Sequence, residues 1–368
     1  MAGLFLSSLT LSHFRSHRSV RLAVGPEPVA VFGPNGSGKT NLLEAVSLLS
    51  PGRGFRRATT DEMSRCPEGL GWKIGALVGS QGRTHEIATW SEGGSGRQVA
   101  LDGKAVPQIA LGRVVRLVWL VPAMDRLWIE GAEGRRRFLD RMVMSFIPDH
   151  AEAVLNYEKA MRERNRLLKD QVRDGGWYGA LEARMAAEGA AIQDNRLSVI
   201  ARIERAQQGS RTAFPSARLA LSGPEEETLP LTREDLLSAF SESRRADLVA
   251  GRTLRGPHRS DLAALYSAKG VAARLSSTGE QKALLLSLIL ANARALAEDS
   301  GAPPLLLLDE VAAHLDLDRR AALYDEIAAL GAQAWMTGTG AELFAELGDR
   351  TQRLEVHDTD GTSDIRML

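Results

Sequence analysis

Apolar residues at near-alternate positions open the chain: Leu4, Leu6, Leu9 and Leu11, then Val20, Leu22 and Val24, interrupted by Ser-His-Phe-Arg-Ser-His at 12–17. Period two predicts strands on either side of that break. Pro28–Phe32 is a compact apolar run that suits a buried strand, and it enters the glycine-rich Gly33–Thr40. Asn41–Leu49 then has helical spacing and stops at Ser50-Pro51-Gly52. From Gly71 to about Leu120, short apolar runs separated by Gly-rich turns such as 93–96 predict more β-structure.

The texture changes near Glu130. The stretch that follows is poor in glycine and rich in helix formers. Pro148 sits where a helix would begin, Gly175-Gly176-Trp177 reads as a reversal, and a second helical run covers Leu181 to about Arg205. The pattern predicts an antiparallel arm of ~25 residues per side, roughly 37 Å at ~1.5 Å per residue. The 15 basic and 13 acidic residues between Glu130 and Arg211 read mostly as a solvated face. Residues 212–250 are mixed, with an acidic run at 225–227. After Arg255 an α/β pattern resumes: Ser276–Glu280 opens an apolar helix to about Ala297, Leu305–Leu308 is a fully apolar strand, Leu317–Leu330 a helix stopped by Gly331, and Ala332–Met336 a strand.

Composition narrows the classes. The 368 residues, 44% hydrophobic and 25% charged, are ordinary for a globular chain and exclude a disordered or fibrous one. No apolar run approaches the ~18 residues that span a bilayer, so no membrane role is expected. The N-terminus lacks a positive charge ahead of its apolar residues and does not read as a secretion signal. One cysteine, Cys66, excludes an internal disulfide and a multi-Cys metal site, and fits a reducing cytoplasm. The 46 basic and 46 acidic residues cancel, yet unevenly. Residues 1–60 carry seven basic against two acidic groups, and residues 298–364 carry four against fifteen. A basic face for a polyanion is one reading; solvated surface charge is the commoner one.

GPNGSGKT (Gly33, Pro34, Asn35, Gly36, Ser37, Gly38, Lys39, Thr40) matches the phosphate-binding loop G-x-x-x-x-G-K-[ST] between a predicted strand and helix. Glycines let backbone N–H groups turn toward phosphates, and the helix N-terminus adds positive potential. Lys39 reaches the β/γ-phosphates of ATP and the Thr40 hydroxyl can ligate Mg²⁺. Leu305–Leu308 followed by Asp309-Glu310 supplies the second half: Asp309 as a Mg²⁺ group and Glu310 as the group that orients and polarises an attacking water. An acid after Asp309 favours hydrolysis over transfer to a small substrate. Ser276–Gln281 is a polar turn opening a helix, readable as a capping box or as a second phosphate-seeking N-terminus.

Ser277, Gly279 and Glu280 resemble the S-x-G-E signature of ABC-type ATPases, and Asp316 in Ala-His-Leu-Asp resembles the acid of their D-loop. The order of motifs around a helical arm is similar to the SMC-like branch. Within it the chain resembles the RecF family along essentially its whole length. The resemblance rests on Leu11-x-x-Phe14-Arg15, GPNGSGKTNLLEA at 33–45, RRRFLDR at 135–141, GPHRSDL at 256–262, STGEQKA at 277–283 and LLLLDE to Leu315-Asp316. It implies an α/β ABC-type (SMC-like) P-loop ATPase head, residues 1–125 and 251–368, with a helical arm domain inserted at 126–250. It also implies an ATP-dependent homodimer in which the signature closes on the partner's γ-phosphate. Action at gapped DNA, assistance to RecA, and RecR and RecO as partners follow from the same resemblance.

Two positions depart from the family pattern: His13 replaces Asn, and Ala-Met-Asp follows Pro122 in place of Glu-Asp; no histidine stands in the switch position of transporter-type ATPases, where the strand ends in Met336-Thr337-Gly338-Thr339. Thr337 is left as the γ-phosphate sensor. The seven histidines have no metal spacing, and His258 and His314 read as structural. Candidate DNA contacts are Arg15, Arg18, Arg53, Arg56 and Arg57, then Arg135, Arg136 and Arg137, by backbone and shape recognition. A transport ATPase subunit, a P-loop kinase, and an SMC-like ATPase coupled to a nuclease or defence partner stand as alternatives.

Overall fold

A computed structural model describes residues 3–80, 82–209, 212–224 and 228–368; the acidic run at 225–227 lies outside the described residues. In chain order the first part is β1 (Phe5–Phe14), β2 (His17–Ala23), β3 (Val29–Phe32), α1 (Lys39–Ser47), α2 (Thr60–Met63), β4 (Trp72–Ser80), β5 (Arg83–Ser91), β6 (Gln98–Leu101), β7 (Lys104–Ala105) and β8 (Leu117–Leu120). The middle is α3 (Ala132–Phe146), α4 (His150–Lys169), α5 (Gly175–Gln208), β9 (Ala217–Ser222), α6 (Arg233–Ala250), β10 (Asp261–Tyr266) and β11 (Val271–Ala272). The last part is α7 (Thr278–Ser300), β12 (Leu305–Leu308), α8 (Leu317–Leu330), β13 (Ala334–Gly338), β14 (Gln352–Thr359) and β15 (Thr362–Met367).

Two six-stranded sheets build the head. One is antiparallel, ordered β2-β1-β4-β5-β6-β7; the other is ordered β15-β14-β3-β13-β12-β8, parallel from β14 to β8. The buried-on-both-faces runs of the sequence, Val29–Phe32 and Leu305–Leu308, are inner strands of the parallel sheet, as continuous apolar runs require. One core joins the inner faces of β1 and β4, the apolar side of α1 (Leu42, Leu43, Val46) and β3, β12 and β13. Each fully buried Leu there contributes about 1.5–3 kcal/mol, so the loop preceding α1 is anchored at both ends by hydrophobic burial.

The chain forms two compact units. One holds residues to Asp125, 212–214 and Leu285–Leu368; the other holds Arg126–Gly209 and Pro215–Leu284. The second unit extends to Leu284 and includes the GPHRSDL and signature segments, which the sequence assigns to the head at 251–368. The reason is pairing: β10 zips onto β9, and arginines of α3 and α5 grip residues 257–261. The arm differs from expectation too. Its helices span 20 and 34 residues, and Gly175-Gly176-Trp177 lies inside α5, because the Asp174 carboxylate caps the Gly176 N–H at 2.8 Å and moves the reversal upstream.

The arm's charges are not all solvated. Arg164, fully buried on α4, donates to Glu182 at 3.0 and 3.1 Å, to Asp247 at 2.7 Å and to Thr253 at 2.9 Å. Arg244 closes the set on Glu182 at 2.5 Å. A second set joins the RRRFLDR and GPHRSDL segments. Arg135 forks onto Asp261 with both bonds at 2.8 Å, Arg136 donates to the Ser260 carbonyl, and Arg196 forks onto Asp140 while donating to Ser260 Oγ and the Pro257 carbonyl.

Candidate nucleotide site

β3 ends at Phe32 and the chain turns through Gly33 and Gly38, with φ of +150° and +102°, into α1. Both glycines are required. A Cβ on Gly33 would strike the Val356 carbonyl, and one on Gly38 would strike the Ser363 and Ser16 hydroxyls. The Lys39 ammonium, almost wholly buried, donates to the Gly33 and Pro34 carbonyls at 2.7 Å each. Burial holds its pKa below the usual lysine value, and Glu310 and Asp309 oppose that shift. Ser37 Oγ is buried in the loop with no hydrogen-bond partner, a polar group that an anion would satisfy.

Asp309 and Glu310 leave the end of β12 beside this loop. Asp309 Oδ1 accepts from Thr40 Oγ1 at 3.0 Å and from Thr337 Oγ1 at 2.7 Å. Burial pushes its pKa up, and the two hydroxyl bonds partly offset this. Glu310 is half-buried at φ +56°, left-handed backbone that costs a non-glycine residue about 1–3 kcal/mol. Its N–H donates to Thr337 Oγ at 2.8 Å. Thr337, singled out as a γ-phosphate sensor, thus has its hydroxyl engaged on both sides: the proton on Asp309, a lone pair on the Glu310 amide.

Residues that the sequence reading missed brace the loop from behind. His17, fully buried, meets the Gly38 carbonyl through Nε2 at 3.2 Å, and burial lowers its pKa. Ser16 Oγ accepts from Asn41 at 2.7 Å and meets Ser363 Oγ at 2.6 Å. The sign was the Ser-His break between two strands, which the fold compresses to a tight turn at 15–16.

The signature residues lie in the second unit. Ser277 and Glu280 form a reciprocal cap: Glu280 Oε2 accepts from the Ser277 N–H at 2.9 Å, and the Glu280 N–H reaches Ser277 Oγ at 3.4 Å. A Lys269 bond and the Ser277 N–H hold the Glu280 carboxyl down to about 2. Ser277 Oγ therefore accepts from its own helix, and its hydroxyl also supports the Glu280 carboxyl within the cap. Gly279, on the first turn, has open space around its Cα. Asp316 caps α8 by accepting from the Arg319 N–H at 2.8 Å.

Of the arginines singled out for DNA, Arg15, Arg53, Arg56, Arg135, Arg136 and Arg137 have protein partners among the described residues. Arg15 forks onto the fully buried Glu44 at 2.8 and 3.0 Å, and Arg56 joins it at 3.2 Å. Arg135 and Arg136 tie α3 to β10, and Arg137 pairs with Glu133. Long-range pairing of this kind leaves no trace in sequence. Arg18, Arg53, Arg56 and Arg57 are exposed, and Arg53 donates to the Ala58 carbonyl at 3.3 Å while its charge acts on the Glu62 carboxyl. His258 is structural: Nε2 meets the Thr253 carbonyl at 3.1 Å, Nδ1 meets the Tyr157 hydroxyl at 2.7 Å, and burial lowers its pKa to about 4.

Among the described residues no cluster of three or more His, Cys, Asp or Glu could hold a metal, and no helix is long and apolar enough to cross a membrane. A family described as an AAA domain matches residues 8–64. Over nearly the full length the chain is similar to proteins named DNA replication and repair protein RecF. It is 46% identical over 360 residues to that of Brucella suis biovar 1 (95% of this chain, 93% of the relative). It is 45% identical over 378 residues to that of Caulobacter vibrioides (97% and 98%). The fold matches a solved structure of the recombination mediator protein RecF-ATP in the RecFOR pathway, with TM-score 0.83, 24% identity and 100% of each chain covered. It also matches the Smc head domain of Pyrococcus furiosus with TM-score 0.58, 16% identity and coverage of 99% and 96%. The head is thus of the ABC-type, SMC-like kind expected, and the chain belongs to the RecF family of DNA replication and repair proteins.

Proposed function

We propose that the protein is an ATP-dependent DNA-binding switch of recombinational repair and replication, a slow ATPase whose turnover resets a dimer on gapped DNA and assists RecA loading. One observation carries the nucleotide chemistry: Thr40, Asp309, Thr337 and the Glu310 amide form one hydrogen-bonded chain beside the Lys39 loop. Lys39 would exchange its two carbonyls for phosphate oxygens, with Ser37 Oγ and the loop amides completing the cradle. Thr40 and Asp309, hard oxygen groups 3.0 Å apart in a buried site, fit Mg²⁺, which when bound would neutralise charge on the β/γ-phosphates. Glu310 orients the attacking water and accepts its proton. Ser277 and Gly279, with the Asp316 turn, would close on nucleotide held by a second copy, the Ser277 hydroxyl turning from the Glu280 carboxyl to a phosphate oxygen.

The DNA face is proposed at Arg18, Arg53 and Arg57, exposed residues of the basic N-terminal region, with Arg56 exposed beside them. RecR and RecO as partners, and a cytoplasmic site of action, come with the family reading and the pathway in which the solved relative is placed. The test is ATP binding and ATPase rate with and without gapped duplex. Lys39→Met should abolish tight binding, and Glu310→Gln should bind ATP while hydrolysis falls about 10²–10⁴-fold. Undiminished hydrolysis by Glu310→Gln would remove Glu310 from its role.

A further inference from the structure

Three helix ends meet at the turn of the arm hairpin. α4 stops at Lys169 and α5 starts at Gly175; between them the Gln171 side-chain amide donates to the Leu248 carbonyl, near the end of α6, at 3.0 Å. On the first turn of α5 the Tyr178 hydroxyl donates to the Val172 carbonyl at 3.0 Å, and the Arg244 guanidinium of α6 lies 5.4 Å from the Tyr178 ring centroid. All of these residues belong to the arm unit, and the nucleotide chemistry uses none of them.

Two large apolar side chains stand in water at this end: Trp177 is 64% exposed and Val249 89%. The other five tryptophans are buried (Trp72, Trp128, Trp335) or half-buried (Trp90, Trp119). Four exposed cations fringe the pair. Arg245 and Arg252 fall one helical turn before and after Val249, a Cβ on Gly251 would lie 3.7 Å from the Lys169 stem, and Arg173 stands one turn ahead of Trp177. Among the described residues none of these four cations is paired with a carboxylate. The acids of the turn are engaged elsewhere: Asp174 accepts from the Gly176 N–H at 2.8 Å, and Asp170 faces Arg166 at 3.9 Å. Cations complement the C-terminal dipoles of α4 and α6, which accounts for Lys169 and Arg252. It does not account for Arg173, in the turn, or for an indole left in water on an N-terminal turn.

We infer that this end of the arm holds single-stranded nucleic acid, a base stacked on Trp177 and backbone phosphates on Lys169, Arg173, Arg245 and Arg252. Every base has a face that stacks on an indole, whereas a duplex keeps its base faces inside. The inference rests on the DNA-binding reading above and adds to it where the single strand of a gap is held. The full-length protein, with ATP, is titrated by anisotropy with a labelled thymidylate homopolymer and with a blunt duplex, and tryptophan emission is followed in parallel. Trp177→Ala should lower single-strand affinity about tenfold or more while duplex affinity stays within about twofold. Trp177→Phe should keep single-strand binding within about threefold yet remove most of the emission quench. Arg173→Gln combined with Arg252→Gln should make the single-strand log–log salt slope shallower by about 0.7 per cation removed. Thermal melting is the fold control, each position being exposed. If Trp177→Ala and the double variant bind the single strand within about twofold of the wild type, the inference is overturned, the DNA-binding reading stands, and the patch belongs to a protein partner. If the wild type binds neither form of DNA, the reading and the inference fall together.

Discussion

Two of the regions in which this molecule buries charge do so differently. In the arm unit, Arg164 and Arg244 face Glu182 and Asp247 with every charge answered by an opposite one. At the Lys39 loop, Lys39 sits on two carbonyls, Asp309 on two hydroxyls, and neither has a bonded counter-ion among the described residues. The first arrangement fixes one geometry. The second leaves an ammonium with its pKa lowered by burial and a carboxyl with its pKa raised by burial, charges that on the proposed reading phosphates and a divalent cation would meet. Buried charge alone does not mark a functional site; buried charge without a counter-charge does.

The contrast can be broken from the arm side first. Arg164→Ala strands Glu182 and Asp247 in a buried site and should cost about 3–5 kcal/mol of stability in denaturant unfolding. If it costs under ~1 kcal/mol, the set is not the closed network described. Thr337→Val comes next. It removes the hydroxyl that joins Asp309 to the Glu310 amide, so hydrolysis should fall about tenfold or more while ATP affinity changes little, on the scale of one misplaced catalytic group. Equal losses in affinity and turnover would return Thr337 to direct phosphate sensing.

Asp309→Asn sharpens the comparison through pH. A carboxyl whose folded pKa is raised contributes stability that is complete below its unfolded pKa and lost as pH rises through the folded one. Asn retains an oxygen for Thr40 and Thr337 and carries no charge. The variant should therefore gain on the parent as pH climbs out of the carboxylate range, while losing ATP hydrolysis. Thermal melting across that range checks the sign; a variant that loses ground as pH rises would contradict it. The smallest effect is expected at the surface. Arg18→Ala should make the salt slope of duplex binding shallower by about one, without changing stability.

The motifs and the strand and helix order were legible because they are local: GPNGSGKT between a strand and a helix, four leucines ahead of Asp309, and a glycine-poor arm. Partnerships were not. Arg15 looked like a DNA contact because Glu44, its partner, is twenty-nine residues away on the helix after the loop. Arg164 and Glu182 looked solvated because charge was taken for surface. A sign was nonetheless present: Tyr157, Ala160, Arg164 and Leu168 lie at helical spacing on one buried stripe, as do Glu182, Met185, Gly189, Ile192 and Arg196 on α5. A charge on an apolar stripe predicts a buried partner. The boundary at Leu284 was hidden for the same reason, since pairings of Asp261 and Ser260 with α3 arginines hold the segment to the arm.

The central claim is that nucleotide closes two copies of this chain upon each other through Ser277. Light scattering of the Glu310→Gln protein, which retains ATP, tests it most directly when compared with the same protein carrying Ser277→Arg. The account predicts a dimer mass with ATP for the first and a monomer mass for the second, both binding ATP alike. If ATP leaves the Glu310→Gln protein monomeric at every concentration, or dimerises both proteins equally, the signature does not act across the dimer.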